Sequence, residues 1–188
     1  NPKRSKVCRS CGLYLNQLPV TDQKRKAEIF WVGLSAVAFA DNEERLPLSP
    51  FTRSGALVAE IEKPYLNELN FYKTNLVKCL PLKQGKIRYP LQHEMEKCYP
   101  NLENEIKELG PSVIFLLGKQ VAGFVLGKLG IKSFELDENF NYRAFEVNNI
   151  SYIPIHHPSF VLVYRRKHMG KYAKKIQKIV EKQLEVVA

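Results

Sequence analysis

The hydrophobic positions of this chain fall into two periods. Glu28–Leu34, with Ile29-Phe-Trp-Val-Gly33 at its centre, is an unbroken apolar, β-branched and aromatic run, the pattern of a buried strand. Phe71–Cys79, Phe-Tyr-Lys-Thr-Asn-Leu-Val-Lys-Cys, predicts a second strand with polar Thr74 and Asn75 embedded in it. A buried polar side chain needs a partner, so Asn75 either pins a loop or faces a ligand. Ser112–Gly118 is the clearest buried strand, continuously apolar and bounded by Pro111 and Gly118. The last, Ile153-Pro-Ile-His-His-Pro-Ser159, ends abruptly on two imidazoles, and Pro158 stops its ladder from continuing. Between these runs the period lengthens to that of helices. One is expected over about 55–62, with Ser54 as N-cap and Pro64 as a stop. A second, over about 90–109, carries Cys98 and a stripe of Met95, Leu102, Ile106 and Leu109 before Gly110-Pro111. Two more follow over about 119–129 and 168–187, the last with Tyr172, Ile176, Ile179 and Leu184 on one side and lysines on the other.

Strand and helix therefore alternate four times, and right-handed crossovers force such strands largely parallel. The expectation is an α/β fold, a three-layer sandwich around a central, mostly parallel four-stranded sheet. The remainder reads as loops: a basic, irregular stretch over 1–27, a polar loop at Asp41–Pro50, a basic one at Leu80–Tyr89, and a hairpin-like excursion over 131–152 with turns at Asn139–Asn141 and Asn148-Asn149. Function in such a fold sits outside the carboxyl ends of the strands. Gly33–Ser35, the Asn75 region, Gly118 and His156–Ser159 all fall there.

At 188 residues the chain is expected to be a single domain spanning 1–188, with 1–27 as an N-terminal arm. No stretch approaches the roughly 18 apolar residues of a membrane span. The first seven residues are polar and basic, with no apolar run behind them of the kind a signal peptide has, so a cytoplasmic location is expected. A net charge of +10 implies an anionic partner, nucleic acid or, less specifically, a membrane surface. The four cysteines are more consistent with metal or cluster ligation than with disulfides in a reducing compartment. Cys8 and Cys11 form a C-x-x-C pair before Gly12, while Cys79 and Cys98 come from a strand end and a helix; tetrahedral thiolate ligation suits zinc and an iron–sulfur cluster equally.

Four elements occur in a telling order: Val32-Gly-Leu-Ser-Ala36 after the first strand, Thr74-Asn-Leu-Val-Lys-Cys-Leu-Pro81, a cysteine before Tyr99-Pro100, and His157-Pro-Ser159. Together with the upstream C-x-x-C they resemble the uracil-DNA glycosylase superfamily, most closely its iron–sulfur members, families 4 and 5, over Cys8 to about Met169. The resemblance implies a 4Fe-4S cluster held by Cys8, Cys11, Cys79 and Cys98 in a structural role. It implies a DNA glycosylase acting as a monomer, without a membrane, on single- or double-stranded DNA. The target base, uracil or a modified pyrimidine, is flipped out and its N-glycosidic bond hydrolysed. Phe51 then corresponds to the aromatic that stacks on the flipped base, Asn75 to the amide that reads its edge, and His157 to the donor that meets the departing base. Ser35 lines the same base site. The segment Ser159–Met169 corresponds to a loop that enters the DNA groove, with Ser159, Arg165, Arg166 and Lys167 as DNA contacts and Phe160, Val161 and Leu162 as wedges. His156 stands where family 4 usually carries Tyr.

The first motif departs from the pattern. Family 4 has Gly-Glu-Ala-Pro-Gly and family 5 Gly-Leu-Ala-Pro-Ala, against Gly33-Leu-Ser-Ala-Val37 here. The aspartate that family 5 carries in its next motif is missing from Phe51-Thr-Arg-Ser-Gly55. The catalytic carboxylate is therefore sought in Asp41 first and Glu43 second, or replaced by water polarised through Ser35 and backbone groups. The altered loop between Gly33 and Phe51 permits a modified or bulky pyrimidine as substrate, as in defence against phage with modified DNA. The competing expectation is a DNA-binding protein that kept fold and cluster but lost hydrolysis.

Overall fold

The computed structural model describes residues 8–40 and 43–187. Its main sheet has the strand order β2-β1-β5-β7-β6, where β1 is Ile29–Ser35, β2 Phe71–Val77, β5 Val113–Leu117, β6 Phe145–Val147 and β7 Ile150–Ile155. The four expected strands are there and parallel. The expected count of four is corrected to five, because the 131–152 excursion contributes β6, antiparallel to β7 at the sheet edge. Asn148 and Asn149, both at positive φ (51° and 64°), make the tight turn between them, a conformation asparagine tolerates better than most side chains. The basic loop at 80–89 holds a second, two-stranded ribbon, β3 (Leu82–Lys83) and β4 (Lys86–Ile87).

Period-two alternation in the strands divides the core into two layers. Phe30 and Val32 face one side with Tyr72, Ile114 and Leu116, under α2 (Gln92–Leu109) and α3 (Lys119–Lys128). Ile29 and Trp31 face the other with Phe115, under α1 (Arg53–Glu62), α4 (Pro158–Tyr164) and α5 (Met169–Val187). In α5 the fully buried positions are Tyr172, Ile176 and Val180, a strict i, i+4, i+8 stripe.

Two helix starts differ from expectation. The N-cap of α1 is Thr52 rather than Ser54, its hydroxyl accepting the Gly55 N–H at 3.1 Å. Ser159–Met169, expected as a loop, is helical. His157 caps α4, Pro158 occupies a first-turn position where its missing N–H does no harm, and a 3-10 turn at Arg166–His168 leads into α5.

One polar knot lies within the α2 layer. The buried Lys78 ammonium pairs with the buried Glu105 carboxylate and donates to Thr74 Oγ1 at 2.7 Å and to the Asn75 carbonyl. Tyr72 Oη and Thr74 Oγ1 donate to the same carboxylate at 2.5 and 3.1 Å. Burial pushes the Lys78 pKa down, against the pull of Glu105. A buried charge needs such partners to persist, and here they hold the backbone directly beneath Asn75.

Candidate active site at the carboxyl ends of the strands

A cavity of about 310 Å³ opens where β1, β2 and β7 end. Gly33 and Ser35 of β1, Asn75 of β2, and His157 and Ser159 at the start of α4 line it, with the loop after β1 as its wall. Gly33 and Asn75 are register partners across β1 and β2. A Cβ at Gly33 would lie under 3.0 Å from Asn75 Oδ1, so glycine there is what lets the amide lie across β1. Asn75 is only 6 % exposed, and among the described residues no protein group exchanges a hydrogen bond with its side-chain amide. An amide that is nearly buried, unpartnered by protein and lining a cavity offers one donor and one acceptor to a ligand edge.

His157 is held on its Nδ1 side. That nitrogen accepts the Ser159 backbone N–H at 3.0 Å and lies 2.7 Å from Ser159 Oγ. A ring nitrogen that accepts an amide proton carries none itself, so the neutral ring has its hydrogen on Nε2. Burial holds the His157 pKa below its ordinary value, keeping the ring neutral. Gly118, at the end of β5 with φ 94°, lies between β1 and β7, and a Cβ there would touch His157 Cβ at 3.6 Å. The residue's handedness and the close approach both call for glycine.

The wall contains residues the sequence did not single out. Phe39, Leu46, Pro47, Leu48 and Ser49 line the cavity. Leu48 has φ 48°, a left-handed conformation for a branched side chain, and Gly55 of α1 packs so closely that a Cβ would meet Leu48 O at 2.5 Å. The N-terminal arm pins the other end of the wall: Gln17 donates through Nε2 to Val37 O at 2.9 Å and accepts the Phe39 N–H at 3.2 Å. The only sequence hint of Phe39 was an isolated aromatic just past a strand end.

The structure thus brings Ser35, Asn75, His157 and Ser159 to one cavity, but not Phe51. Phe51 directly precedes the N-cap Thr52 and points to solvent, 88 % exposed and outside the cavity lining. Phe39 is the aromatic that the wall supplies instead. Asp41 lies outside the described residues. Glu43 is exposed and its carboxylate accepts the Ala40 N–H at 2.8 Å, fastening the loop to itself. Among the described residues the cavity lining holds no carboxylate. Of the basic candidates, Arg165 borders a second, adjoining cavity, Arg166 lies beside Arg53 in a separate depression, and Lys167 is exposed.

None of the four cysteines is in a disulfide. Asn101 Nδ2 reaches Cys98 Sγ at 3.6 Å and Cys8 Sγ at 4.0 Å, and the Lys78 N–H reaches Cys98 Sγ at 3.4 Å. Burial, reinforced by the nearby Cys11, Cys98 and Cys8, pushes the Cys79 thiol up to about 12. Thiols from the arm, the end of β2 and α2 therefore share one neighbourhood, although among the described residues no three His, Cys, Asp or Glu side chains close to the geometry of a single-ion site.

The family model of the uracil DNA glycosylase superfamily matches residues 21–182. The chain belongs to that superfamily. A type-4 uracil-DNA glycosylase of Archaeoglobus fulgidus is 30 % identical over 93 % of this chain and 87 % of its own length. A type-4 uracil-DNA glycosylase of Sulfurisphaera tokodaii is 27 % identical over 96 % of this chain and 78 % of its own. The crystal structure of wild-type SMUG2 from Pedobacter heparinus shares the fold with a TM-score of 0.53 at 13 % identity, over 86 % of this chain and 77 % of that one. No helix among the described residues is long and apolar enough to cross a membrane.

Proposed function

We propose that this member of the superfamily is a DNA glycosylase that excises uracil, or a closely related modified pyrimidine, and leaves an abasic site. The observation that carries the reading is the pairing, in one cavity, of the unpartnered Asn75 amide with a neutral His157 whose hydrogen is on Nε2. The base leaves the duplex at an unstacking penalty of a few kcal/mol, Asn75 donates to and accepts from its edge, and Phe39 stacks on its face. As the N-glycosidic bond breaks, its electron pair moves onto the base and His157 Nε2–H donates to the carbonyl oxygen where charge gathers. Loss of one such donor typically lowers kcat by about 10²–10³. Water adds its oxygen to the sugar carbon and keeps one proton in the new hydroxyl; its other proton is taken by a carboxylate, for which we assign Asp41, and ends on the departed base, with Ser35 helping to hold the water.

The partner is DNA, and the charge of +10 serves its phosphates, with Ser159, Arg165, Arg166 and Lys167 as contacts. Cys8, Cys11, Cys79 and Cys98 would hold a 4Fe-4S cluster, whose four irons take one thiolate each and so span a wider donor set than one ion does. Its contribution is structural: it ties the arm, and through Gln17 the cavity wall, to the end of β2.

A second reading, a DNA-binding protein of the same fold without hydrolysis, is favoured by one observation, the lack of any carboxylate among the described lining residues. The two are separated by incubating the protein with oligonucleotides carrying uracil or a modified pyrimidine and cleaving abasic sites with alkali. Excision that is lost in Asp41→Asn supports the first; retained DNA binding without strand cleavage on any substrate supports the second.

A further inference from the structure

We propose that the cavity adjoining the base pocket is a second nucleotide subsite, which takes the unstacked base and phosphodiester of the residue flanking the excised one. This rests on the excision reading above and adds a determinant of sequence context to it.

The adjoining cavity measures about 710 Å³ and shares Leu34, His157 and Ser159 with the base pocket, so occupants of the two would meet across His157. Its walls carry the two chemistries that a nucleotide needs. The first is aromatic: Tyr89 and Tyr164 are 68 % and 72 % exposed on its rim, and Phe160 lies beside Tyr164 with ring centroids 5.2 Å apart. Large exposed rings gathered around one concavity provide π faces for a base. The second is cationic, from Lys119 and Arg165. Arg165 spends one donor on Glu138 O at 3.0 Å and lies over the Phe140 ring at 5.5 Å, leaving the rest of its guanidinium for an anion.

His156, for which the excision chemistry has no use, completes the subsite. Tyr142 Oη accepts the His156 backbone N–H at 3.3 Å and lies 2.6 Å from Nδ1; where the phenol donates to Nδ1, the neutral ring carries its hydrogen on Nε2. Phe160 stacks on the ring at 5.4 Å and 15°, Phe140 meets it edge-on at 5.5 Å, and Tyr172 Oη donates to the His156 carbonyl at 2.8 Å. A histidine ring fixed on several sides, with one donor left and a cavity at its edge, is built to give that donor to a ligand; a flanking phosphodiester or base carbonyl accepts it. Because a second nucleotide must leave its stack to enter, single-stranded DNA is favoured over duplex.

The test uses single-stranded oligonucleotides with one uracil, in which the nucleotide on its 5′ or 3′ side is either normal or a tetrahydrofuran abasic residue. KM and kcat for excision are measured for the wild-type protein, Tyr164→Ala, Tyr89→Ala and Tyr164→Phe. The expected result is that removing the flanking base on one side raises the wild-type KM at least ~5-fold, the low end of base–aromatic stacking. That penalty shrinks in Tyr164→Ala or Tyr89→Ala and returns in Tyr164→Phe, which keeps the ring. Equal KM values for all flanks, with uracil excised normally, overturn the subsite and leave the excision reading standing. A flanking penalty undiminished in both alanine variants also overturns it, since the base is then held elsewhere. No uracil excision by the wild-type protein on any oligonucleotide brings down the excision reading itself, and the subsite with it.

Discussion

Gly33→Ala is the substitution that most sharply joins sequence, packing and chemistry. The new Cβ would fall under 3.0 Å from Asn75 Oδ1, inside any ordinary contact, and 3.6 Å from Asn75 Cγ. The atom in the way is the end of a side chain rather than backbone, so the amide rotates and the strands stay paired. Mild overpacking of this kind costs ~1–3 kcal/mol of stability, leaving the fold intact. Oδ1 must retreat by roughly 1 Å to regain contact distance, and a misplacement of about 1 Å can lower activity some 10²-fold. That is about 2.7 kcal/mol of transition-state stabilisation. The assay is single-turnover excision of uracil with a thermal melt alongside it. A double-mutant cycle with Asn75→Ala isolates the cause: Gly33→Ala is expected to add almost nothing once the amide is gone. Excision by Gly33→Ala within about threefold of wild type, or two full and additive losses in the cycle, would refute the reasoning.

Glu105→Ala strands the buried Lys78 ammonium and removes the acceptor of Tyr72 and Thr74; a loss of ~3–5 kcal/mol in urea unfolding is expected, and an unchanged midpoint would contradict the buried pair. His156 and His157 both have pKa values held below 6.5 by burial, aided for His156 by Arg165 and Lys119. The unfolded chain therefore binds more protons than the native one just below about pH 6.5, and the melting temperature should be flat above that value and fall as pH drops through the depressed native values. A melting temperature that rises on acidification would exclude this assignment. Gln17→Ala frees the wall at Val37 and Phe39 without changing any side chain that lines the cavity, so KM for the uracil substrate is expected to rise several-fold with stability changed by ~1 kcal/mol or less. Cys98→Ala should abolish the visible absorbance and the equal amounts of iron and acid-labile sulfide expected of the purified protein; stoichiometric zinc in the wild type would instead remove the cluster.

The parallel strands were readable from sequence because each is an unbroken apolar run, and buried parallel strands have no polar face to confuse the period. Asn75 stood out for the same reason in reverse, as an amide inside such a run. His157 was marked by Pro158, which ends β7 and begins α4 at one residue. What stayed hidden depended on tertiary contacts. Phe51 and Phe39 are both aromatics near a strand end or helix start, and only the turn at Ser49–Thr52 and the grip of Gln17 send one to solvent and the other to the cavity. The helical nature of Ser159–Tyr164 is obscured because Phe160–Tyr164 is apolar at every position and shows no 3.6-residue period. The role of Tyr142 as the brace of His156 joins residues fourteen apart through a hydrogen bond that no local pattern announces.

The central claim, that this cavity breaks an N-glycosidic bond, is met most directly by one measurement: alkali-revealed strand cleavage of a single-stranded uracil oligonucleotide by the wild-type protein beside His157→Ala and Asn75→Ala. Cleavage at the uracil position by wild type, reduced about 10²-fold or more in His157→Ala, with all proteins binding the oligonucleotide comparably, is the predicted result. Binding without cleavage by the wild-type protein, or cleavage that His157→Ala leaves undiminished, would contradict it.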